Sequence, residues 1–418
     1  RYPILSSKIA VKSGRDVGNW WRPSVLENGI PAWIGENASS YIGLYRSMFE
    51  IRPLPVKKLR FRSAGNAVWG ILGATIGDYE IPRSPRIPSY ILAGKEWQAL
   101  TFEKEVRRGS VLDFSDRLDA HAGKYGPVVI RNGRFEFRDR PGIPARFYGT
   151  NLCSQAVYPD PVWAERIADR LAKAGFNAVR LHHHDALMVN RNKTTELNAG
   201  DMEKLDYLIA CLKKRGIYIQ TDLFVSRRPA AGEIPGYPRR MENFDLYKAL
   251  LYFQDPVFEN WKRYVGNFLN HVNVHTGFAV KDEPALISLT LVNEGNIHKK
   301  WDADPLSRKC ALKEFGQWLG TRGEAAEDRA RRSLLFDRFL TEVYQRRHRQ
   351  MVEYVRSLGC VKPLSDQNMG CSPQLSSMRM SYDFVENHLY YNHPEFAGPS
   401  WGLPSYTRND SVLKLHAE

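Results

Sequence analysis

The stretch Pro284-Ala-Leu-Ile-Ser-Leu-Thr-Leu-Val-Asn-Glu-Gly-Asn296 decides how the chain is read. Ala285 to Val292 is an apolar run broken only by Ser288 and Thr290, rich in Leu, Ile and Val and too short for a helix. Such a run reads as a strand buried on both faces, and strands of that kind belong to parallel sheets covered by helices. It stops on Asn293-Glu294-Gly295-Asn296. A carboxylate at the C-terminal end of a buried parallel strand stands where an α/β barrel carries its chemistry. An incidental Glu in a surface loop is the plainer alternative.

Outward from this strand, helices and strands alternate. Ala145 to Asn151 reads as a first strand, and Val162 to Ala174 as a helix with Trp163, Ile167 and Leu171 one turn apart and Gly175 as its stop. Asn177 to Leu181 is a second strand, ending at His182-His-His-Asp185. A helix over Met202–Lys214, halted at Gly216, leads to a third strand, Ile217 to Phe224. Val257 to Val272 is helical, and the opening stretch is the fourth strand. Leu334 to Leu358 is a long helix, Lys362 to Gln367 a poor fifth strand and Tyr382 to Tyr390 a sixth. Repeated βα units predict an α/β fold of the (β/α) barrel type.

The chain before this region has another texture. Met48–Ile51, Lys58–Arg62, Ala67–Leu72 and Trp97–Phe102 are short β-rich pieces separated by Gly, Pro and Asn. Several such strands at close spacing predict an all-β sandwich or jelly roll. The expected division is an accessory domain over residues 1–123 and a barrel over 124–418, and a length of 418 residues suits two domains. Trp20, Trp21 and Trp33 read first as fillers of a sandwich core and second as a sugar-stacking face.

The net charge of +14 attracts polyanions. The Lys and Arg residues are scattered, however, and no nucleic-acid-binding signature occurs, so no nucleic acid partner is expected. The five cysteines are odd in number and contain no C-x-x-C, which argues against a disulfide framework and a zinc site. No apolar run approaches the ~20 residues that cross a bilayer, so no membrane partner is expected. No signal peptide is visible, and Arg1 fits a residue left after one was removed.

The region from about Val128 to Trp401 resembles the glycoside hydrolase clan A barrel, in the manner of the family 5 cellulases. Phe135-Glu-Phe, Arg146-Phe-Tyr-Gly-Thr-Asn151, Gly175-Phe-Asn-Ala-Val-Arg-Leu181, Val292-Asn-Glu294 and His388-Leu-Tyr390 carry the resemblance through their order and their spacing by whole βα units. The resemblance implies a (β/α)8 barrel and a retaining β-glycosidase, secreted or periplasmic, that needs no cofactor and no metal. Glu294 would be the general acid/base and Asn293 would bond the hydroxyl beside the reacting carbon. Arg180 would lie under the catalytic carboxylates, and His388 and Tyr390 would line the cleft. His183, His184 and Asn151 would contact substrate. The substrate would be a polysaccharide or oligosaccharide, which the charge allows to be acidic.

Cleavage of a glycosidic bond needs one carboxyl group kept protonated and a second kept ionised, about 5–5.5 Å apart in retaining enzymes. A nearby cation separates their pKa values. Each residue has a plainer role. Arg180 can be a structural ion-pair partner, and His388 with Tyr390 a packed core pair. His182 to His184 invite a metal, but adjacent strand residues point to opposite faces. Asp222 and Asp366 stand at or near strand ends. One departure matters: the family places its nucleophile on a seventh strand, and only 28 residues follow Tyr390. The last two strands are therefore expected outside this chain. A non-catalytic carbohydrate-binding protein on a degenerate barrel is the alternative function.

Overall fold

The computed structural model describes residues 6–21, 23, 26–36, 41–63, 70–78, 105–324, 328–370, 372–388, 395–396 and 405–406. The chain divides into two compact units, Phe102–Tyr390 and a smaller one made of Arg1–Thr101 with Tyr391–Glu418.

The larger unit is an α/β structure. Its centre is a five-stranded parallel sheet of β1 (Gly149–Cys153), β2 (Ala178–His182), β3 (Tyr218–Asp222), β4 (Leu286–Thr290) and β5 (Leu364–Ser365), in the order β5-β4-β3-β2-β1. Every residue of β4 is buried, as its apolar run predicts. The unit's described residues also form eight α-helices: α1 (Pro161–Lys173), α2 (Ala199–Lys214), α3 (Phe244–Phe253), α4 (Asp255–Asn270), α5 (Ile297–Lys300), α6 (Pro305–Arg322), α7 (Arg329–Ser357) and α8 (Pro373–Arg379).

Two βα units end their helices in the same way. Gly175 N–H donates to Ala172 O and Phe176 N–H to Leu171 O; Gly216 N–H donates to Lys213 O and Ile217 N–H to Leu212 O. Both glycines have φ near +80°, at +80° and +76°, the left-handed conformation that closes a helix and turns the chain into the next strand. A Cβ on Gly216 would stand 2.2 Å from Asp119 O, so no larger residue fits there.

The core lies between sheet and helices. Trp261, Tyr264, Val265 and Leu269 of α4 are wholly buried within it. On α1 the buried face is Ala164, Ala168 and Ala172, while Trp163 is 54% exposed beneath the Arg166 guanidinium. The helix therefore docks through its small residues, which permit close approach, and not through the expected Trp163 stripe. An antiparallel meander, Val128–Arg131, Arg134–Phe137 and Arg140–Pro144, packs Val128 and Phe137 against Ala178, Tyr218 and Ala285. It covers the N-terminal end of the sheet. Phe114 N–H donates to Lys173 O and Ala122 N–H to Lys213 O, so this part of the chain packs with the larger unit.

Three expectations need correction. The barrel is not closed among the described residues: the sheet has five strands and two free edges. The sixth strand is absent over Tyr382–His388, where the segment makes one parallel bridge, Met369 to His388. Side chains there still alternate, with Phe384, Glu386 and His388 turned inward and Asp383, Val385 and Asn387 exposed. The chain is extended, but β5 is too short to pair with it along its length. In the smaller unit, Met48–Ile51 and Lys58–Arg62 form no strand. Among its described residues before Gly123 the one sheet is the hairpin Gly29–Glu36 with Tyr41–Ser47, which by itself does not make the expected sandwich. Trp20 and Trp33 fill no core, being 58% and 52% exposed. Of Ala67–Leu72, residues 67–69 fall outside the described residues and 70–72 form no strand; Trp97–Phe102 falls wholly outside them.

Candidate functional site

The C-terminal ends of β2, β3 and β4 bring polar residues into one network. Inward positions on neighbouring parallel strands stack into layers. Arg180 of β2 pairs in register with Asn151 of β1 and Gln220 of β3. Its guanidinium donates to Asp222 Oδ1 at 2.7 Å and to Asn293 Oδ1 at 2.9 Å, and meets His388 Nε2 at 2.8 Å. His388 Nδ1 is 2.9 Å from Glu294 Oε1. A guanidinium only donates, so His388 Nε2 accepts and Nδ1 carries the proton given to Glu294. His182 Nδ1 lies 3.0 Å from the other oxygen of Asp222.

These contacts fix the charges. Asp222 is wholly buried; burial pushes its carboxyl up, but Arg180 and His182 pull it well below the usual carboxylate range. Glu294 is held down to about 2 by the hydrogen bond from His388, against its burial and with help from Lys248 and Lys300. It is therefore a carboxylate at neutral pH: it can accept a proton, and in this state has none to give.

Backbone strain gathers at the same end of the sheet. His183, Glu294 and Gln367 have φ of +52°, +50° and +51°, each just past a strand end. Non-glycine residues in this region cost about 1 kcal/mol or more, and such residues cluster at functional sites. Asn368 holds the Glu294 turn: its Oδ1 accepts from Glu294 N–H at 2.8 Å, and its Nδ2 donates to Glu386 Oε1 at 3.2 Å.

The expected site residues divide. Glu294, Asn293, Arg180 and His388 meet in one network. Asn151 is not bonded to it, but lines a cavity of about 250 Å³ inside the sheet with Arg180, Gln220, Glu386 and Phe135. His183 stacks edge-on against His182 at 4.3 Å, and burial keeps it neutral with a pKa of about 4. His184 is withdrawn from the substrate contacts: it is wholly buried, 3.3 Å from Thr221 Oγ1 and packed on Phe268. Adjacent residues alternate faces, and this one turns towards the helices. Tyr390 lies outside the described residues. Asp366 is wholly buried and bonds Val292 N–H and Tyr344 OH, a structural position.

Glu386 is the residue that sequence reasoning missed. Its Oε1 bonds Thr290 Oγ1 and Asn368 Nδ2. Burial, then the Asp222 charge, raises its pKa. Its signal was the period of two that links it to His388. A larger groove of about 870 Å³ between α6 and α7 is lined by Glu314, Trp318 and Arg346 and holds none of the network. Among the described residues no group of three or more His, Cys, Asp or Glu is placed to hold a metal, and no helix is long and apolar enough to cross a membrane.

No protein-family model matches the chain, and no curated protein matches it. Solved structures similar to it include the endo-1,4-β-mannanase of Rhizomucor miehei, at 15% identity and TM-score 0.37, over 58% of this chain and 60% of that one. The endo-β-1,4-mannanase of Thermotoga petrophila is matched at 18% identity and TM-score 0.34, over 55% of this chain and 44% of that one. The exo-β-1,4-mannosidase Op5Man5 from Opitutaceae bacterium strain TAV5 is matched at 18% identity and TM-score 0.32, over 58% and 35%. The chain thus spans less than two thirds of the length of each of these three structures. Identities and TM-scores this low leave fold and activity to be argued from the chain's own geometry.

Proposed function

We propose that the chain carries the acid/base half of a retaining β-glycosidase acting on a polysaccharide or oligosaccharide, with Glu294 as general acid/base. One observation carries the reading: Arg180, Asn293, Glu294 and His388, drawn from three distant parts of the sequence, form a single hydrogen-bonded chain at the C-terminal end of a parallel sheet. The nucleophile in this reading is a carboxylate outside the described residues. It attacks the anomeric carbon while Glu294 protonates the departing glycosidic oxygen; Glu294 then takes a proton from the water that releases the sugar. An ionised carboxylate brought beside Glu294 raises its pKa and supplies the protonated form that step one needs. Asn293 Oδ1 is engaged by Arg180, which leaves its amide N–H2 as donor to a sugar hydroxyl. His183 and Asn151 stand as substrate contacts, and exposed Trp20 and Trp33 support a glycan-binding role for the smaller unit. Secretion or the periplasm is the location this activity implies.

A second reading, carbohydrate binding without hydrolysis, is favoured by one fact: His388 holds Glu294 ionised. The test is release of reducing ends from a panel of β-linked glycans. Glu294→Gln should lower turnover by at least about 10³-fold with binding retained, within the reach of a general acid. Unchanged turnover in the variant rejects Glu294 as acid/base. Binding without cleavage in the wild type favours the second reading.

A further inference from the structure

We propose that the groove between α6 and α7 is a second binding site, and that it takes an anionic polysaccharide, a chain carrying sulfate or carboxylate groups among its hydroxyls. The groove shares no residue with the Glu294 network, so the inference stands apart from the reading of that site.

The groove has a volume of about 870 Å³ and lies between two helices that pack together. Lys309 and Lys313 of α6 line it, and so do Arg346 and Arg349 of α7. Residues three or four apart share one face of a helix, so each pair serves the same wall. Arg322 adds a fifth cation, ~20 Å along α6 from Lys309 at the helical rise of ~1.5 Å per residue. Two carboxylates line the same groove, Glu314 and Glu342. Glu342 is taken: it accepts from Arg322 at 2.6 Å, Trp318 Nε1 at 2.9 Å and Arg338 at 3.1 Å. Glu314 meets Arg346 at 3.7 Å, longer than a hydrogen bond. The side chains of Lys309, Lys313 and Arg349 are exposed and enter no ion pair or hydrogen bond among the described residues.

The lining also selects among anions. Sulfate and carboxylate accept charge-assisted hydrogen bonds from amines and guanidinium groups. Gln254, Gln317 and Gln345 add amides that both donate and accept, and Glu314 keeps acceptor capacity. A glycan sets hydroxyls, which donate and accept, beside its anions, and this mixture of cations, amides and a carboxylate matches it. A nucleic acid strand stacks its bases on aromatic rings. Trp318 of the groove is engaged already, with its ring 6.0 Å from that of Phe315 and 4.8 Å from the Arg322 guanidinium. A partner helix would lay an apolar face on the floor and seal the partly buried Glu314 carboxylate from water, at a cost. A second copy of the chain would bring its own net charge of +14 to a groove already positive.

The test uses the whole protein and four probes: dextran sulfate, the polyuronate alginate, unmodified dextran and a thymidine oligonucleotide. Calorimetry should show one of the charged polysaccharides bound at least about tenfold tighter than dextran, and the one preferred identifies the anion. Exposed ion pairs are individually weak, so three are removed together. The variant Lys309→Gln, Lys313→Gln, Arg349→Gln should lose about tenfold in that affinity. A control that removes three exposed cations elsewhere, Lys57→Gln, Lys58→Gln, Arg60→Gln, should lose about twofold or less, because salt screens distant charges. Equal losses in the two variants would mean that net charge alone attracts the chain, and would overturn the inference. Equal wild-type affinity for charged and neutral polysaccharides overturns it too, as does tighter binding of the oligonucleotide. A second measurement needs no variant: bound polysaccharide should shield the Lys309 and Lys313 amines from acetylation, read by mass spectrometry against Lys57 and Lys58. Unchanged acetylation of all four at saturating polysaccharide overturns the inference and leaves the Glu294 reading standing.

Discussion

His388 Nδ1 lies 2.9 Å from Glu294 Oε1, joining two residues 94 positions apart. Because Arg180 donates to the far nitrogen of the same ring, the imidazole is oriented at both ends. Glu294 thus receives its strongest hydrogen bond from a residue that is itself locked, and its carboxyl sits at about 2. The Glu294 carboxylate, its orienting ring and the cation behind them form one hydrogen-bonded unit.

Replacing His388 by Ala should return the Glu294 carboxyl towards its ordinary value. The sign follows from linkage. A carboxyl depressed on folding stabilises the protein above its unfolded pKa of 4.5, and that gain is lost as pH falls through about 2. Wild type should exceed the variant by about 1–2 kcal/mol near pH 6, a figure reduced for the partial exposure of Glu294. The gap should narrow below pH 4.5. Urea denaturation at several pH values measures it; a gap independent of pH would mean that His388 does not hold Glu294 ionised.

Arg180→Met should destabilise by about 3 kcal/mol, since it removes the guanidinium partner of the wholly buried Asp222 and leaves it only His182. The double variant Arg180→Met, Asp222→Leu should recover a good part of that loss, because removing both charges costs less than removing one. Strict additivity in a double-mutant cycle would show that the pair at 2.7 Å is not coupled.

Much of this unit was legible because burial imposes patterns. The run Leu286–Thr290 is fully buried, and Gly175 and Gly216 adopt the left-handed caps that their positions call for. Arg180, Asn293, Glu294 and His388 were found by resemblance; the inward position of His388 agrees with the alternation along 382–388, while Glu294 joins its neighbour Asn293 through a turn at φ +50° that alternation does not foresee. What failed depended on partners. Lys58–Arg62 alternates as a strand should, but alternation cannot supply a neighbour to pair with, and the segment is exposed. His184 looked equivalent to His183, yet one residue along a strand end reverses the face. Glu386 was passed over because burial, not sequence, sets its protonation.

Glu386 gives the opposite pH signature to Glu294. Its pKa is raised, so its contribution is full below the unfolded value of 4.5 and is lost as pH rises through the folded one. Glu386→Gln keeps the shape and cannot ionise. The variant should therefore match wild type at pH 4 and lose less stability than wild type as pH climbs to neutrality. Parallel stability curves for the two proteins would show that Glu386 titrates normally.

Asn368 is wholly buried and holds the strained turn directly, accepting from Glu294 N–H at 2.8 Å while Glu294 sits at φ +50°. A buried donor left without its acceptor costs about 1–3 kcal/mol. Asn368→Ala removes that acceptor and also the amide that donates to Glu386. The Glu294 amide should then exchange with solvent at least about tenfold faster, equivalent to ~1.4 kcal/mol. Asn368→Asp keeps an acceptor for Glu294 but places a second carboxyl against Glu386. It should protect the Glu294 amide better than Ala does, and lose stability as pH rises and both carboxyls ionise. Equal exchange of the Glu294 amide in wild type and Asn368→Ala would mean that the turn is held by the surrounding backbone and not by this side chain.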